Sequence, residues 1–264
     1  MEPIKVVVYG ASGRMGQEVV EAVCQEPETQ LVGAVDLKVS HDSLVLPDGS
    51  GMVPFSTSLE IILTGGPADV IVDFSIAKAT MPAVRLAAKH GVNMVIGATG
   101  LDADDIDEIE WLAADQKIGV VVAPNFALGA VLMIHLARIA AKFMDYAEII
   151  ELHHERKIDA PSGTALTTAS AMADARGKPF IQPIGKGETP ASRGQSVEGI
   201  TLHSVRLPGL MAHQEVILGS QGQTLSVRHD AINRECYMPG VLLAIKEVVK
   251  RRGLIYGLDN LLGL

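Results

Sequence analysis

The chain has 264 residues, 48% of them hydrophobic and 20% charged, with a formal net charge of −9 and a pI near 5.3. That length can bury a large core and form two modest domains. The acidic balance argues against nucleic acid as a partner, which wants basic surface, but leaves room for a local cationic pocket that takes an anionic small molecule.

Lys5 to Tyr9 is a short β-branched run that reads as a buried parallel strand. Gly10-Ala11-Ser12-Gly13-Arg14-Met15-Gly16 follows, and then an amphipathic helix from Gln17 to Cys24. Strand, glycine turn and helix stand in the order a dinucleotide-binding unit needs. Gly10 allows the tight turn, Gly13 lets a pyrophosphate approach the backbone at the helix N-terminus, and Gly16 lets helix and strand pack closely. A second strand, Leu31 to Val35, ends in Asp36, twenty positions after Gly16, where an acidic residue meets the adenosine ribose. Lys38 to Phe55 reads as a polar connection. Strands at Ala68 to Phe74, Asn93 to Ile96 and Ile118 to Val122 then alternate with helices at Ala77 to Lys89 and Ala103 to Asp115. This pattern predicts a parallel sheet with helices on both faces. Ligands of such sheets bind beyond the carboxyl ends of the strands. The turns at Gly10, Phe74, Gly97-Ala98-Thr99-Gly100 and Ala123-Pro124-Asn125-Phe126 are therefore expected to line one crevice.

After Phe126 the pattern changes. A long helix from Leu128 to Met144 leads to a strand at Ala147 to His153, and another helix spans Ser162 to Ala175. Lys178 to Gly199 is polar and rich in Gly and Pro, and is expected to be a mobile loop. Ile200 to Arg206, His213 to Leu218 and Thr224 to His229 read as antiparallel strands of an α+β insert, and Pro239 opens a final amphipathic helix through Lys250. The expected fold class is α/β: a Rossmann-like dinucleotide-binding domain with a parallel sheet (1–126, completed by 235–264), plus an α+β substrate and oligomerisation domain (127–234).

Cys24 and Cys236 are the only cysteines, which points to a reducing compartment and no bound metal. No leader pattern precedes the first strand, and no apolar run reaches transmembrane length, so a cytoplasmic location without membrane association is expected.

Glu151 to Ala165 carries the chemistry. It packs His153, His154, Lys157 and the turn Pro161-Ser162-Gly163-Thr164 into fifteen positions. Imidazoles and an amine move protons and hold anions near neutral pH. A Ser-Gly-Thr turn opening a helix presents backbone N–H groups that suit a carboxylate or phosphate. Adjacent strand residues face opposite sides, so His153 and His154 can share one pocket only if the strand ends there.

The whole chain resembles the family of 4-hydroxy-tetrahydrodipicolinate reductases, also called dihydrodipicolinate reductases, of bacterial lysine and diaminopimelate synthesis. Gly10 to Gly16 resembles the family's nucleotide loop, Gly97-Ala98-Thr99-Gly100 its G-[TA]-T-G turn, and Ala123-Pro124-Asn125-Phe126 its A-x-N-F turn. Glu151 to Ala165 is similar to the signature E-x-H-H-x-x-K-x-D-A-P-S-G-T-A at every fixed position. The chain departs from the family pattern at Asn233-Arg234-Glu235-Cys236-Tyr237 and at Ala212-His213.

The resemblance implies hydride transfer from NADH or NADPH to C4 of a cyclic dicarboxylate. It implies His153 as proton donor acting with Lys157. It also implies that His154, Gly163 and Thr164 hold substrate carboxylates, and that the subunits form a homotetramer. Cofactor contacts are expected at Gly10, Ala11, Ser12, Gly13, Arg14, Met15, Asp36, Gly97, Ala98, Thr99, Ala123, Pro124, Asn125 and Phe126. Asp36 favours NADH, whereas Arg14 and Lys38 can offset its repulsion of a 2′-phosphate, so both cofactors are expected to work. A thioester-forming aldehyde dehydrogenase would need a nucleophilic cysteine between the domains, and neither Cys24 nor Cys236 is placed for it. A dinucleotide-sensing scaffold would not need His153, Lys157 and the anion turn together.

Overall fold

The computed structural model describes residues 2–39, 41–182 and 191–264. It divides into two units, Met1–Leu128 with Tyr237–Leu264, and Gly129–Cys236. Among the described residues no helix is long and apolar enough to cross a membrane.

The first unit opens with β1 (Ile4–Tyr9), α1 (Arg14–Gln25) and β2 (Thr29–Val35). The connection expected to be irregular contains β3 (Ser43–Val45) and β4 (Met52–Ser56), which pair antiparallel; β4 adds to β2 through only Ala34↔Phe55 and Val35↔Ser56. Such short, exposed strands leave little periodicity to read. Then come α2 (Leu59–Gly65), β5 (Val70–Asp73), α3 (Ala77–His90), β6 (Asn93–Ile96), α4 (Ala103–Asp115) and β7 (Gly119–Val122).

The second unit follows with α5 (Leu128–Ala141), β8 (Tyr146–His153), α6 (Gly163–Arg176), β9 (Gln195–Val197), β10 (Ile200–Arg206), β11 (Ala212–Ser220) and β12 (Gln223–Ala231). The chain returns to the first unit with α7 (Met238–Val248), β13 (Gly253–Tyr256) and α8 (Leu258–Leu262).

The first sheet has the order β13-β7-β6-β5-β1-β2-β4-β3 and is parallel except at β3. Its central strands carry unbroken apolar runs because both faces are covered. Val6, Val7 and Val8 of β1 and Val70, Ile71 and Val72 of β5 are fully buried. On one face α2, α3 and α4 pack through residues such as Ile62, Val84 and Ile109. α1 and α7 pack against each other and bury Val19, Val23, Val241 and Ile245. β1 lies between β2 and β5, so the chain reverses its direction across the sheet at the end of β1. That is the crevice where doubly wound sheets bind ligands.

The second sheet has the order β12-β11-β8-β10-β9. It is mixed rather than antiparallel, because β10 runs parallel to β8 across the connection that contains α6. α5 and α6 cover one face, where Met133, Ala137, Ala169 and Met172 meet Ile149, Leu202, Val216 and Leu218. Val216 and Leu218 thus fill this unit's own core. Tyr146, Ile150, Leu152, Val205 and Ile217 alternate with these residues on the opposite face and remain partly exposed. The segment 178–199 departs from a plain loop at both ends: Phe180 is buried in the core, and Gln195–Val197 forms β9 at the sheet edge. The part from 183 to 190 lies outside the described residues.

Candidate functional site

In the first unit, backbone bonds continue one step past the strand ends. Gly10 N–H donates to Val35 O (2.8 Å), Phe74 N–H to Tyr9 O (3.2 Å), Gly97 N–H to Asp73 O (2.8 Å) and Ala123 N–H to Ile96 O (3.0 Å). These bonds set the turns after β7, β6, β5, β1 and β2 side by side on one edge. They bring together all the residues to which the sequence assigned cofactor contact.

Gly10 takes a left-handed φ of +86°, and a Cβ on Gly16 would lie 2.0 Å from the Gly10 carbonyl oxygen, so neither position accepts a larger residue without moving backbone. Gly13 is the N-cap of α1, without a side-chain cap and without an acidic residue in the first turn. α2, α4 and α6 are instead capped by Ser58, Asp102 and Ser162. The leading N–H groups of α1, at Arg14, Met15 and Gly16, are thus left for an outside anion, which fits a pyrophosphate. Asp36 closes the turn: its Oδ2 accepts from Ser12 N–H (2.9 Å) and its Oδ1 from Lys38 N–H (3.2 Å). Ala11 and Ala98 are buried, while Ser12, Arg14, Thr99 and Pro124 are exposed. Phe126 is buried with its ring 5.5 Å from that of Phe74, and Asn125 Oδ1 accepts from Ala127 N–H (2.9 Å).

Sequence reasoning missed Asp73. It is fully buried at the end of β5 and accepts from Ser75 N–H (2.7 Å) and Thr80 Oγ1–H (2.7 Å). Burial pushes its carboxyl above the usual range, against those hydrogen bonds. It fixes the Phe74–Ser75 turn beside Gly10.

In the second unit, β8 ends at His153, so His154 is freed from strand alternation. Glu151 and His153 stand two apart on one face of β8. The same row on β10 carries Ser204, the register partner of Glu151, and Arg206, the partner of His153. Glu151 is fully buried. It accepts from Arg206 Nη2 (2.8 Å, at Oε1) and Nη1 (2.9 Å, at Oε2), and from Ser162 N–H (3.3 Å). Its Oε2 lies 2.5 Å from His153 Nδ1. Burial alone would raise the Glu151 carboxyl, but hydrogen bonds from Arg206, Ser204 and His153 and the Arg206 charge take it below the usual carboxylate range. Burial holds the His153 imidazole below its ordinary value, only partly offset by Glu151.

Lys157 folds back through its N–H to His154 O (3.1 Å), and its ammonium lies 2.8 Å from Asp159 Oδ2. His154 Nδ1 is buried and, among the described residues, lacks a hydrogen-bond partner, as a group that waits for a ligand would. Ser162 caps α6 by accepting from Ala165 N–H (3.2 Å), which leaves the leading amides of Gly163 and Thr164 to outside partners. One strand end and one helix start therefore assemble two imidazoles, an ammonium and an anion-binding turn. Glu151 and Arg206 were not singled out as site residues from the sequence. The two-residue spacing to His153 marks Glu151, whereas Arg206 emerges only from the β8–β10 pairing. Among the described residues, no group of His, Cys, Asp and Glu forms a metal site.

Two family models match the chain: dihydrodipicolinate reductase, N-terminus, over residues 4–126, and dihydrodipicolinate reductase, C-terminus, over 129–262. A 4-hydroxy-tetrahydrodipicolinate reductase of Dehalococcoides mccartyi is 58% identical over 264 residues, all of both chains. One from Moorella thermoacetica is 46% identical over 262 residues, 98% of each. Among solved structures, a dipicolinate-bound dihydrodipicolinate reductase from Paenisporosarcina sp. TG-14 superposes with a TM-score of 0.87 at 39% identity, covering 98% of this chain and 99% of that one. The chain belongs to the dihydrodipicolinate reductase family.

Proposed function

We propose that this protein is an NAD(P)H-dependent oxidoreductase that reduces 4-hydroxy-tetrahydrodipicolinate to tetrahydrodipicolinate, in the diaminopimelate route to lysine. The observation that carries the reading is the cluster of His153, His154, Lys157 and the Gly163–Thr164 amides at the end of β8 and the start of α6. It suits a dicarboxylate that must receive a proton. The family's D. mccartyi and M. thermoacetica members bear the name of this activity, and the Paenisporosarcina member holds dipicolinate, a cyclic dicarboxylate.

The first unit takes the dinucleotide and the second the substrate. The uncapped start of α1 holds the pyrophosphate, and Asp36 accepts hydrogen bonds from ribose hydroxyls with the lone pairs that Ser12 and Lys38 leave. The turns at Gly97–Thr99 and Ala123–Phe126 contact the rest of the cofactor. A bound nicotinamide supplies the hydride. His153 gives the proton to the carbanion-like centre that hydride addition leaves next to the reduced carbon, and Lys157 stabilises the developing charge there. His154 Nδ1 and the Gly163 and Thr164 N–H groups bind the two carboxylates. Both NADH and NADPH serve, because Asp36 disfavours a 2′-phosphate while Arg14 and Lys38 offer cations to it. The partly exposed Ile150, Leu152, Val205 and Ile217 on the open face of the second sheet support a homotetramer, since apolar side chains left on an open sheet face gain from a partner's cover. A cytoplasmic setting fits two free cysteines.

Single substitutions test the roles. His153→Ala and Lys157→Ala are each expected to lower turnover by about two to four orders of magnitude, the scale of general acid catalysis, with folding intact. His154→Ala should act mainly on substrate affinity. Near-normal turnover in folded His153→Ala and Lys157→Ala would remove the mechanism.

A further inference from the structure

The most unusual group in the second unit is not one that meets a ligand. Glu151 is a fully buried carboxylate at the carboxyl end of β8, and its oxygens are accounted for by named donors. Arg206 grips it with both terminal nitrogens, at 2.8 and 2.9 Å, and Ser162 N–H adds a third bond at 3.3 Å. A buried carboxylate with a bidentate guanidinium stays ionised, because protonating it would leave the Arg206 charge unpaired. An ionised carboxylate only accepts hydrogen bonds, so the 2.5 Å contact to His153 requires the proton on Nδ1. The ring is thereby turned with Nε2 away from Glu151. Arg206 does a second task from the same position: its Nε donates to Lys157 O (3.2 Å) and Nη2 to Asp159 O (2.6 Å). One guanidinium fixes both the carboxylate behind His153 and the loop that carries Lys157.

We propose that Glu151, held ionised by Arg206, is the positioning residue for His153, and that it makes Nε2 the nitrogen that delivers the proton. This rests on the functional reading above. The step is balanced without further reactants. The imidazolium carries a proton on each nitrogen; the Nε2–H bond breaks as that proton passes to the neighbouring carbanion-like centre, to which hydride addition has moved the π electron pair. The ring is left neutral with its Nδ1–H still on Glu151. Solvent then restores the proton to Nε2. The groups that face the imidazole set its charge: Glu151 from the same strand favours the imidazolium, while Arg206 from β10 and Lys157 from the following turn oppose it, Lys157 being itself paired with Asp159. Without Glu151 only the opposing charges and burial remain, and the acid loses its proton at lower pH.

The test is Glu151→Gln, which keeps the shape and an acceptor but removes the charge. Proton NMR of the free protein follows the His153 ring, assigned by its loss in His153→Ala. The His153 midpoint is expected to fall by about one unit or more, the scale of losing a close opposite charge. Turnover at neutral pH should fall roughly tenfold or more, since one unit of midpoint is a tenfold change in the protonated fraction. In a His153→Ala background, Glu151→Gln should change the residual turnover less than about twofold, because its effect passes through the missing ring. An unmoved midpoint, or an equal loss of turnover in both backgrounds, overturns the proposal. If Glu151→Gln fails to fold beside an unpaired Arg206, the pair Glu151→Gln with Arg206→Met removes both charges and should still show a downward shift, smaller because the opposing Arg206 charge is gone too; an unmoved midpoint there also overturns it. The NMR titration needs no substrate. Failure of the wild-type protein to reduce the dicarboxylate would therefore refute the functional reading and leave this proposal to be decided by the ring's midpoint.

Discussion

Gly163 separates the needs of the fold from those of the ligand. It is the first residue of α6, its φ is not left-handed, and a Cβ there would meet nothing within 4 Å. Nothing in the fold requires glycine. Alanine narrows the unfolded ensemble, so Gly163→Ala should stabilise the protein by about 0.4–1 kcal/mol. For a chain of this size that corresponds to a rise in Tm of roughly 1–4 °C. A Cβ on a helix tilts toward the N-terminus, here into the space before the Gly163 and Thr164 amides where the substrate carboxylate is proposed to sit. Displacing the carboxylate forfeits a hydrogen bond to a charged group, about 1.5–3 kcal/mol. The result should be a loss of kcat/KM of about ten- to a hundredfold, since each 1.4 kcal/mol is tenfold. The assay pairs a thermal melt with steady-state kinetics at varied dicarboxylate. A variant that melts no lower yet binds substrate poorly fits the reasoning. Unchanged kcat/KM would refute the anion site at this turn, and a lowered Tm would refute the claim that the fold leaves Gly163 free.

Gly16→Ala should behave oppositely: its Cβ would lie 2.0 Å from backbone oxygen, so stability should drop by about 1–3 kcal/mol and NADH binding should weaken, both readable by melt and by cofactor fluorescence titration. Asp36→Asn should shift the kcat/KM ratio of the two cofactors toward NADPH and Lys38→Ala toward NADH; if neither moves the ratio beyond about threefold, roughly 0.7 kcal/mol, these residues do not read the ribose. Burial holds His153 below the ordinary imidazole value, and an acid works only while protonated, so kcat/KM should fall as pH rises through a midpoint below about 6.5; a midpoint above that range in the pH profile contradicts His153 as the acid. Light scattering at micromolar concentration should give a tetrameric mass, and a monomeric mass would count against the proposed assembly.

The first unit was largely legible in sequence because its signals are local. Val6, Val7 and Val8 form a continuous apolar run only when both faces are buried, and the glycines from Gly10 to Gly16 are demanded by backbone approach within one turn. Elements shorter than the pattern they would need were lost. β13 (Gly253–Tyr256) is four half-buried or exposed residues on an edge, and β9 is three on another, inside a segment whose composition reads as loop. Phe180 was hidden there too, since a single aromatic carries no period. In the second unit, the residues proposed to meet a ligand lie together in Glu151 to Ala165 and could be read directly. Their support could not: Arg206 reaches Glu151 from a strand fifty-five positions away, and only the parallel β8–β10 pairing makes them neighbours. The expected antiparallel arrangement fails at the same place, because no local signal marks the segment containing α6 as a crossover between two strands of one sheet.

Reduction of a cyclic dicarboxylate by a nicotinamide cofactor, with His153 and Lys157 in the roles proposed, can be followed optically. The most direct measurement follows the absorbance of NADH or NADPH with 4-hydroxy-tetrahydrodipicolinate generated in the cuvette by its synthase. Cofactor oxidation should depend on that product and fall by about two orders of magnitude or more in His153→Ala. Cofactor binding without substrate-dependent oxidation by the wild-type protein would contradict the proposed function.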